Sequence, residues 1–248
     1  MKIVALLLVW AAVLSVLLAR AGFRGRRGPA AGGMRERPSR VLIVGATGGT
    51  GRQLVAQALE RGYDVTALVR DPARLDVSHP RLRIVKGDVR DVASCAEAVR
   101  GSEAVLCALG HRRYGSLART LSLGTSNVLE AMRREGSRRF VCETSLGIGD
   151  SVLRLGPLYT LFVIPVVLPL YFWDKARQER VIAACPIEWV IVRPGILNDA
   201  PKRGGIRHGS DVGSAWGVTR IARADVAAFM LDQLESDAYL GRAPGVSW

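Results

Sequence analysis

Arg40-Val-Leu-Ile-Val-Gly-Ala-Thr-Gly-Gly-Thr-Gly-Arg52 decides the fold of this 248-residue chain. The run Val41 to Val44 is wholly apolar and reads as a strand buried on both faces, as in a parallel sheet. Three glycines follow at Gly45, Gly48 and Gly51. A helical pattern then begins, with Leu54, Val55, Ala58 and Leu59 on one face. A strand, a glycine turn and a helix in that order form the setting of a dinucleotide-phosphate loop. Gly45 allows the tight turn, Gly48 lets the backbone approach a pyrophosphate, and Gly51 lets the helix pack close to the strand. The free N–H groups of the first helical turn then face the phosphates. The spacing is GxxGxxG in place of the more familiar GxGxxG.

Working outward, Gly62 ends the first helix and Tyr63 to Val69 reads as a second strand. Arg70 stands at its end, with Arg74 four residues on. In a doubly wound sheet that strand end meets the adenosine ribose, where an acid binds a 2′-hydroxyl and an arginine suits a 2′-phosphate. Asp71-Pro72 reads as a turn or cap, so the pattern favours NADP(H) over NAD(H). Leu82–Val85, Ala104–Leu109 and Arg139–Glu143 read as further strands, ending at Gly87-Asp88-Val89, at Gly110 and at Thr144-Ser145. Asp88 is placed either to reach an adenine edge or to cap the helix over 92–99. Thr120 to Arg134 is helical, with Leu121, Val128, Leu129 and Met132 inward and Asn127 set to bond a neighbouring strand end. Alternation of this length specifies an α/β fold with a doubly wound parallel sheet, read as one domain over 40–248.

Aromatic residues make up 6% of the chain, too few for a base-stacking nucleic-acid surface. The net charge is +13, but residues 1–40 hold eight basic side chains against Glu36, so about half the excess sits in the leader. Cys95, Cys107, Cys142 and Cys185 form no CxxC and have no histidine cluster beside them. They read as thiols in a reducing compartment, with no metal site. The leader divides in two. Ile3 to Ala19 is uncharged and Arg-rich sequence follows it, which reads as an uncleaved membrane anchor over 1–20 with the following domain in the cytoplasm. Residues 21–39 read as a basic flexible linker. The alternative is a start at Met34, giving a cytoplasmic protein.

In the second half the motifs accumulate. Gly45-Ala-Thr-Gly-Gly-Thr-Gly51, Leu68-Val-Arg-Asp71, Gly87-Asp-Val89, Thr144-Ser145 and Val190-Ile-Val-Arg-Pro-Gly195 occur in that order. Together they resemble an atypical short-chain dehydrogenase/reductase of the NAD(P)H-binding, NmrA-like group. Within it the chain is similar to the biliverdin/flavin reductase branch, over about Arg40 to Leu240. The resemblance implies one Rossmann domain binding NADP(H), with a short extension on the substrate side. It carries Thr47, Gly48, Thr50 and Gly51 to the pyrophosphate, Arg70 and Arg74 to the 2′-phosphate, and Asp88 and Val89 to the adenine. Gly110 falls near the nicotinamide ribose, and Pro194, Gly195 and Ile196 fall beside the nicotinamide.

Three residues carry the candidate chemistry. A hydroxyl at Ser145 can hydrogen-bond a carbonyl and offset the charge that develops as hydride arrives. Tyr171-Phe-Trp-Asp-Lys175 has the YxxxK spacing of the wider superfamily, which puts a phenol and an ammonium on one helix face. The ammonium lowers the phenol pKa and holds the nicotinamide ribose. Tyr171 also ends an apolar run, Leu155 to Trp173, interrupted by Pro157, Pro165 and Pro169, and Glu179 is a partner for Lys175. That run reads as an apolar lid over the substrate crevice or as a segment dipping into the membrane interface. The expected function is an NADPH-dependent oxidoreductase acting on a small lipophilic conjugated carbonyl, quinone or flavin. The alternative is a non-catalytic NADP(H)-binding sensor or assembly factor at the membrane. Pro201 to Gly217 reads as a loop, and Thr219 to Leu234 as a closing helix in which Asp225 caps or pairs.

Overall fold

The structure, a computed structural model, describes residues 2–22, 36–110 and 119–248. Eight strands form one sheet in the order β3-β2-β1-β4-β5-β6-β10-β8. They are β1 (Arg40–Val44), β2 (Asp64–Val69), β3 (Leu82–Lys86), β4 (Ala104–Cys107), β5 (Arg139–Glu143), β6 (Glu188–Pro194), β8 (Arg207–Gly209) and β10 (Gly245–Ser247). All neighbours are parallel except β8, which pairs antiparallel with β10. The first six strands have the 3-2-1-4-5-6 order of a Rossmann sheet. β7 (Ile196–Asn198) and β9 (Arg220–Ala222) make a separate parallel pair above its end.

Helices cover both faces. α2 (Gly49–Glu60) and α6 (Arg223–Asp232) bury Leu54, Val55, Ala58 and Val226 with Val41, Ile43 and Val141. α3 (Val92–Val99), α4 (Thr120–Glu135) and α5 (Pro169–Ala183) close the other side over Leu42, Val44, Cys107 and Cys142. Each such aliphatic side chain contributes on the order of 2 kcal/mol when removed from water. Local signals stop the helices where they do. Gly62 takes φ +82° after α2, and Gly136 takes φ +75° as the C-cap of α4. The N-terminus of α4 is capped from a distance, because the Asp174 carboxylate of α5 accepts from the N–H groups of Leu121 and Ser122. β4 stops two residues before the expected Leu109, whose carbonyl turns to a lysine instead.

Two segments depart from expectation on the substrate side. Within the apolar run, Tyr159–Val167 is a π-helix with Pro165 inside it, and α5 follows at once with Pro169 at its first turn. Proline is well placed at a helix start, so the third proline opens a helix where breakage was expected. Tyr171 therefore lies inside a helix. The expected loop over 201–217 contains β8, and the expected closing helix begins as β9 before α6.

The N-terminal anchor needs correction. Among the described residues no helix is long and apolar enough to cross a membrane. α1 (Lys2–Ala21) lies along the domain, with Leu14, Leu18 and Ala21 packed with Ile148, Leu155, Ile164 and Phe172, and Ala11 also buried. Trp10 Nε1 donates to the Pro165 carbonyl at 2.9 Å. One face of α1 is thus committed to protein, and the placement that followed from an anchor, with the domain on the cytoplasmic side, falls with it. Most of the expected linker over 21–39 lies outside the described residues.

Candidate active site at the strand tips

The glycine loop joins β1 to α2. Gly45 takes φ +84°, and a Cβ there would stand 2.5 Å from the Ala108 carbonyl oxygen, so β1 and β4 approach as closely as glycine permits. A Cβ on Gly51 would stand 2.0 Å from the Gly45 oxygen. Gly48 N donates back to the Gly45 oxygen at 2.9 Å and is the N-cap of α2, where no side chain caps the helix. The first N–H groups of α2 are therefore open to an anion, which fits a pyrophosphate. Thr47 is half-buried, and Gly48 is exposed beside it. Thr50 faces inward: its hydroxyl donates to Glu143 at 3.0 Å, so only its backbone can serve a phosphate. Gly49 packs against the Arg223 side chain, and Arg223 pairs with Asp199 at 2.8 Å. Nothing in the sequence pointed to Arg223 at this loop.

At the end of β2, Arg70 and Arg74 are both exposed. Asp71 caps the short turn Pro72–Arg74 through Ala73 N. Arg52 reaches the same corner by donating to the Arg74 carbonyl. After β3, Asp88 accepts from both the backbone and the guanidinium of Arg90, and that pairing holds its carboxyl below the usual range. The α3 cap is Asp91, not Asp88. Val89 is buried, and its carbonyl accepts from Asn127 Nδ2 at 3.0 Å, the strand-end bond expected of Asn127.

The tips of β4, β5 and β6 bring the remaining candidates together. Lys175 is buried, and its ammonium donates to the carbonyls of Leu109 at 3.1 Å and Glu143 at 2.9 Å. It lies 5.9 Å from the Tyr171 ring centroid. Burial opposes its charge, yet Tyr171 and the neighbouring Cys142 and Glu143 outweigh this and raise its pKa above the ordinary lysine value. The Tyr171 hydroxyl is 3.9 Å from where a Cβ on Gly110 would stand. Ser145 is half-buried just past β5, and its hydroxyl makes no hydrogen bond to another described residue. Pro194 ends β6. A Cβ on Gly195 would stand 2.6 Å from the Thr219 carbonyl oxygen, which accepts from Ile196 N as β7 begins.

Glu179 does not pair with Lys175. It takes a two-pronged bond from the Arg193 guanidinium, at 2.9 and 2.7 Å, and a third from the Thr144 hydroxyl. Asp150 also binds Arg193. Burial works against the charge on Arg193, and the Glu179 carboxylate more than restores it. The four cysteines are free thiols. Cys107 and Cys142 face each other in register across β4 and β5, and burial pushes the Cys142 thiol up. Beside Ile196 opens a cavity of about 310 Å³, walled by Leu155, Pro157, Tyr159 and Val218 among others.

The family model described as NAD(P)H-binding matches residues 45–237, which runs from the glycine loop past α6. The chain belongs to this NAD(P)H-binding family. Its relatives include a chloroplastic Arabidopsis thaliana protein described as uncharacterized, 33% identical over 211 residues, covering 79% of this chain and 73% of that one. A 3-diazoavenalumate denitrifying reductase from Streptomyces is 32% identical over 180 residues, covering 64% of this chain and 56% of the reductase. Among solved structures, a short-chain dehydrogenase/reductase of Veillonella parvula in complex with NADP superposes with a TM-score of 0.67, at 19% identity, covering 85% of this chain and 95% of that one. At that identity the likeness concerns the fold. Membership, with reductases among the relatives, makes the chain an NAD(P)H-dependent oxidoreductase of the Rossmann type.

Proposed function

We propose that the protein transfers hydride from NADPH to a small, flat, lipophilic acceptor, a conjugated carbonyl, quinone or flavin. The observation that carries this reading is the pairing of Tyr171 with Lys175 beside Gly110, with Lys175 fixed by two strand-tip carbonyls. NADPH supplies the hydride when bound. The chain supplies the rest. The uncapped first turn of α2, with Thr47 and Gly48, holds the pyrophosphate. Arg70 and Arg74 give the ribose end a positive pair that suits a 2′-phosphate and sets the preference for NADPH over NADH. The Lys175 ammonium favours ionisation of the Tyr171 phenol, so that Tyr171 can hold or deliver a proton at the acceptor oxygen. Ser145 offers a second hydrogen bond to that oxygen as charge develops on it. Pro194, Gly195 and Ile196 lie on the nicotinamide side, and the largely apolar wall of the cavity beside Ile196 suits a lipophilic acceptor.

The test is NADPH consumption with a panel of quinones, enones and flavins, comparing the wild type with Tyr171→Phe and Ser145→Ala. Turnover that drops at least about a hundredfold in Tyr171→Phe, with NADPH affinity kept, supports the reading. Tight NADPH binding with no turnover on any acceptor would favour a cofactor-sensing role.

A further inference from the structure

The cavity beside Ile196 carries one basic side chain. It lies between Leu155–Tyr159 and the β7–β9 pair, and its walls include Leu155, Pro157, Tyr159, Ile196 and Val218, with Arg220 at one end. No acidic residue lines it. Arg220 stands in register with Ile196, the residue next to the expected nicotinamide position. Its backbone carbonyl accepts from Trp248 N, while its exposed guanidinium pairs with no carboxylate among the described residues. Leu155, Tyr159 and Ile196 belong to the same apolar cluster as Tyr171, so wall residues of the cavity and the candidate acid/base share one packing unit.

We propose that this cavity is the acceptor subsite and that it selects organic anions: a flat apolar ring system against Leu155, Tyr159 and Ile196, with a carboxylate held by Arg220. The guanidinium fork matches a carboxylate in two parallel hydrogen bonds, and the apolar wall on one side strengthens them by thinning the water around the pair. An uncharged ring of the same size gains the wall but not the fork. The inference rests on the hydride-transfer reading for its chemistry and on the cavity alone for its binding.

A binding measurement therefore separates the two. The full chain, saturated with NADP⁺, is titrated calorimetrically with 2-naphthoate and with 2-naphthalenemethanol. The expected result is a preference for the carboxylate of about tenfold, which is about 1.4 kcal/mol. Arg220→Gln should abolish the preference, Arg220→Lys should keep part of it, and Arg220→Glu should reverse it, all with unchanged NADP⁺ affinity. Equal binding of the two ligands by the wild type, binding of neither, or a preference that survives in Arg220→Gln overturns the proposal. Naphthoate selectivity without NADPH turnover on any acceptor would leave the subsite standing and remove the hydride-transfer reading.

Discussion

Lys175 and Glu143 are joined by a hydrogen bond to the backbone and not by an ion pair. The ammonium donates to the Glu143 carbonyl at 2.9 Å, while the Glu143 carboxylate accepts from Thr50 in the first turn of α2. Successive side chains of a strand alternate between faces, so Glu143 shares the side of Val141, under α2 and α6. One residue thus ties the phosphate loop to the lysine of the candidate dyad. Lys175→Met should leave the carbonyls of Leu109 and Glu143 without their donor. We expect a loss of about 2 kcal/mol in urea unfolding and a fall in turnover of roughly 10²–10³. A variant with normal turnover would remove Lys175 from the chemistry.

The Glu143 carboxyl is itself a titrating group. Burial raises its pKa, and Lys175, Thr50 and Arg223 pull only partly the other way. The folded state therefore holds the proton more tightly than the unfolded chain. Its contribution to stability is full below the unfolded pKa and is lost as pH rises through the folded value. Urea midpoints taken from about pH 4 to 8 should fall across that window in the wild type. Glu143→Gln keeps a partner for Thr50 and should flatten the curve. Identical pH profiles for the two proteins would contradict this assignment.

Arg193 and Glu179 are both buried, and each is the other's principal partner. Breaking such a pair strands a charge away from water. Arg193→Met should cost about 3–5 kcal/mol. The double variant Arg193→Met with Glu179→Met should recover much of that loss, because it removes both charges together. If the losses simply add in chemical unfolding, the two side chains are not energetically coupled.

Gly51→Ala would place a methyl 2.0 Å from the Gly45 carbonyl oxygen, against backbone that cannot swing aside. We expect α2 to be pushed off β1, with a loss of about 3 kcal/mol or more and no measurable NADPH binding. Normal binding by this variant would show that the loop tolerates a wider separation.

Arg70→Ala removes one of the two exposed guanidinium groups after β2. NADPH affinity should fall about tenfold while NADH affinity stays within about twofold. Calorimetric titration of both cofactors checks this, and equal losses for both would reduce Arg70 to general surface charge.

The fold was legible because its signals are local. An apolar strand, three spaced glycines and an amphipathic helix fix the first unit, and the alternation after them fixes the sheet. Gly45 and Gly51 met the contacts expected of them, and Asp71 is the cap it was read as. Partners chosen across the fold were not legible. Thr50 turned inward to Glu143, Glu179 chose Arg193 over Lys175, and Asp174 caps a helix some fifty residues earlier in the chain. None of these pairings has a spacing rule, because each depends on which strands become neighbours. Pro169 was read as an interruption, yet it opens α5, which is why Tyr171 lies inside a helix. The N-terminal helix misled for a related reason. Hydrophobicity shows that a face seeks cover, but not whether lipid or the protein's own domain provides it.

Trp10 and its acceptor Pro165 are 155 residues apart. α1 leaves the ribosome before any of the surface it docks on. At about 5–20 residues per second, roughly 8–30 s of synthesis separate the two partners. Throughout that interval the Ala11–Leu14–Leu18 stripe has no native cover, and it gains one only when the π-helix and α5 emerge.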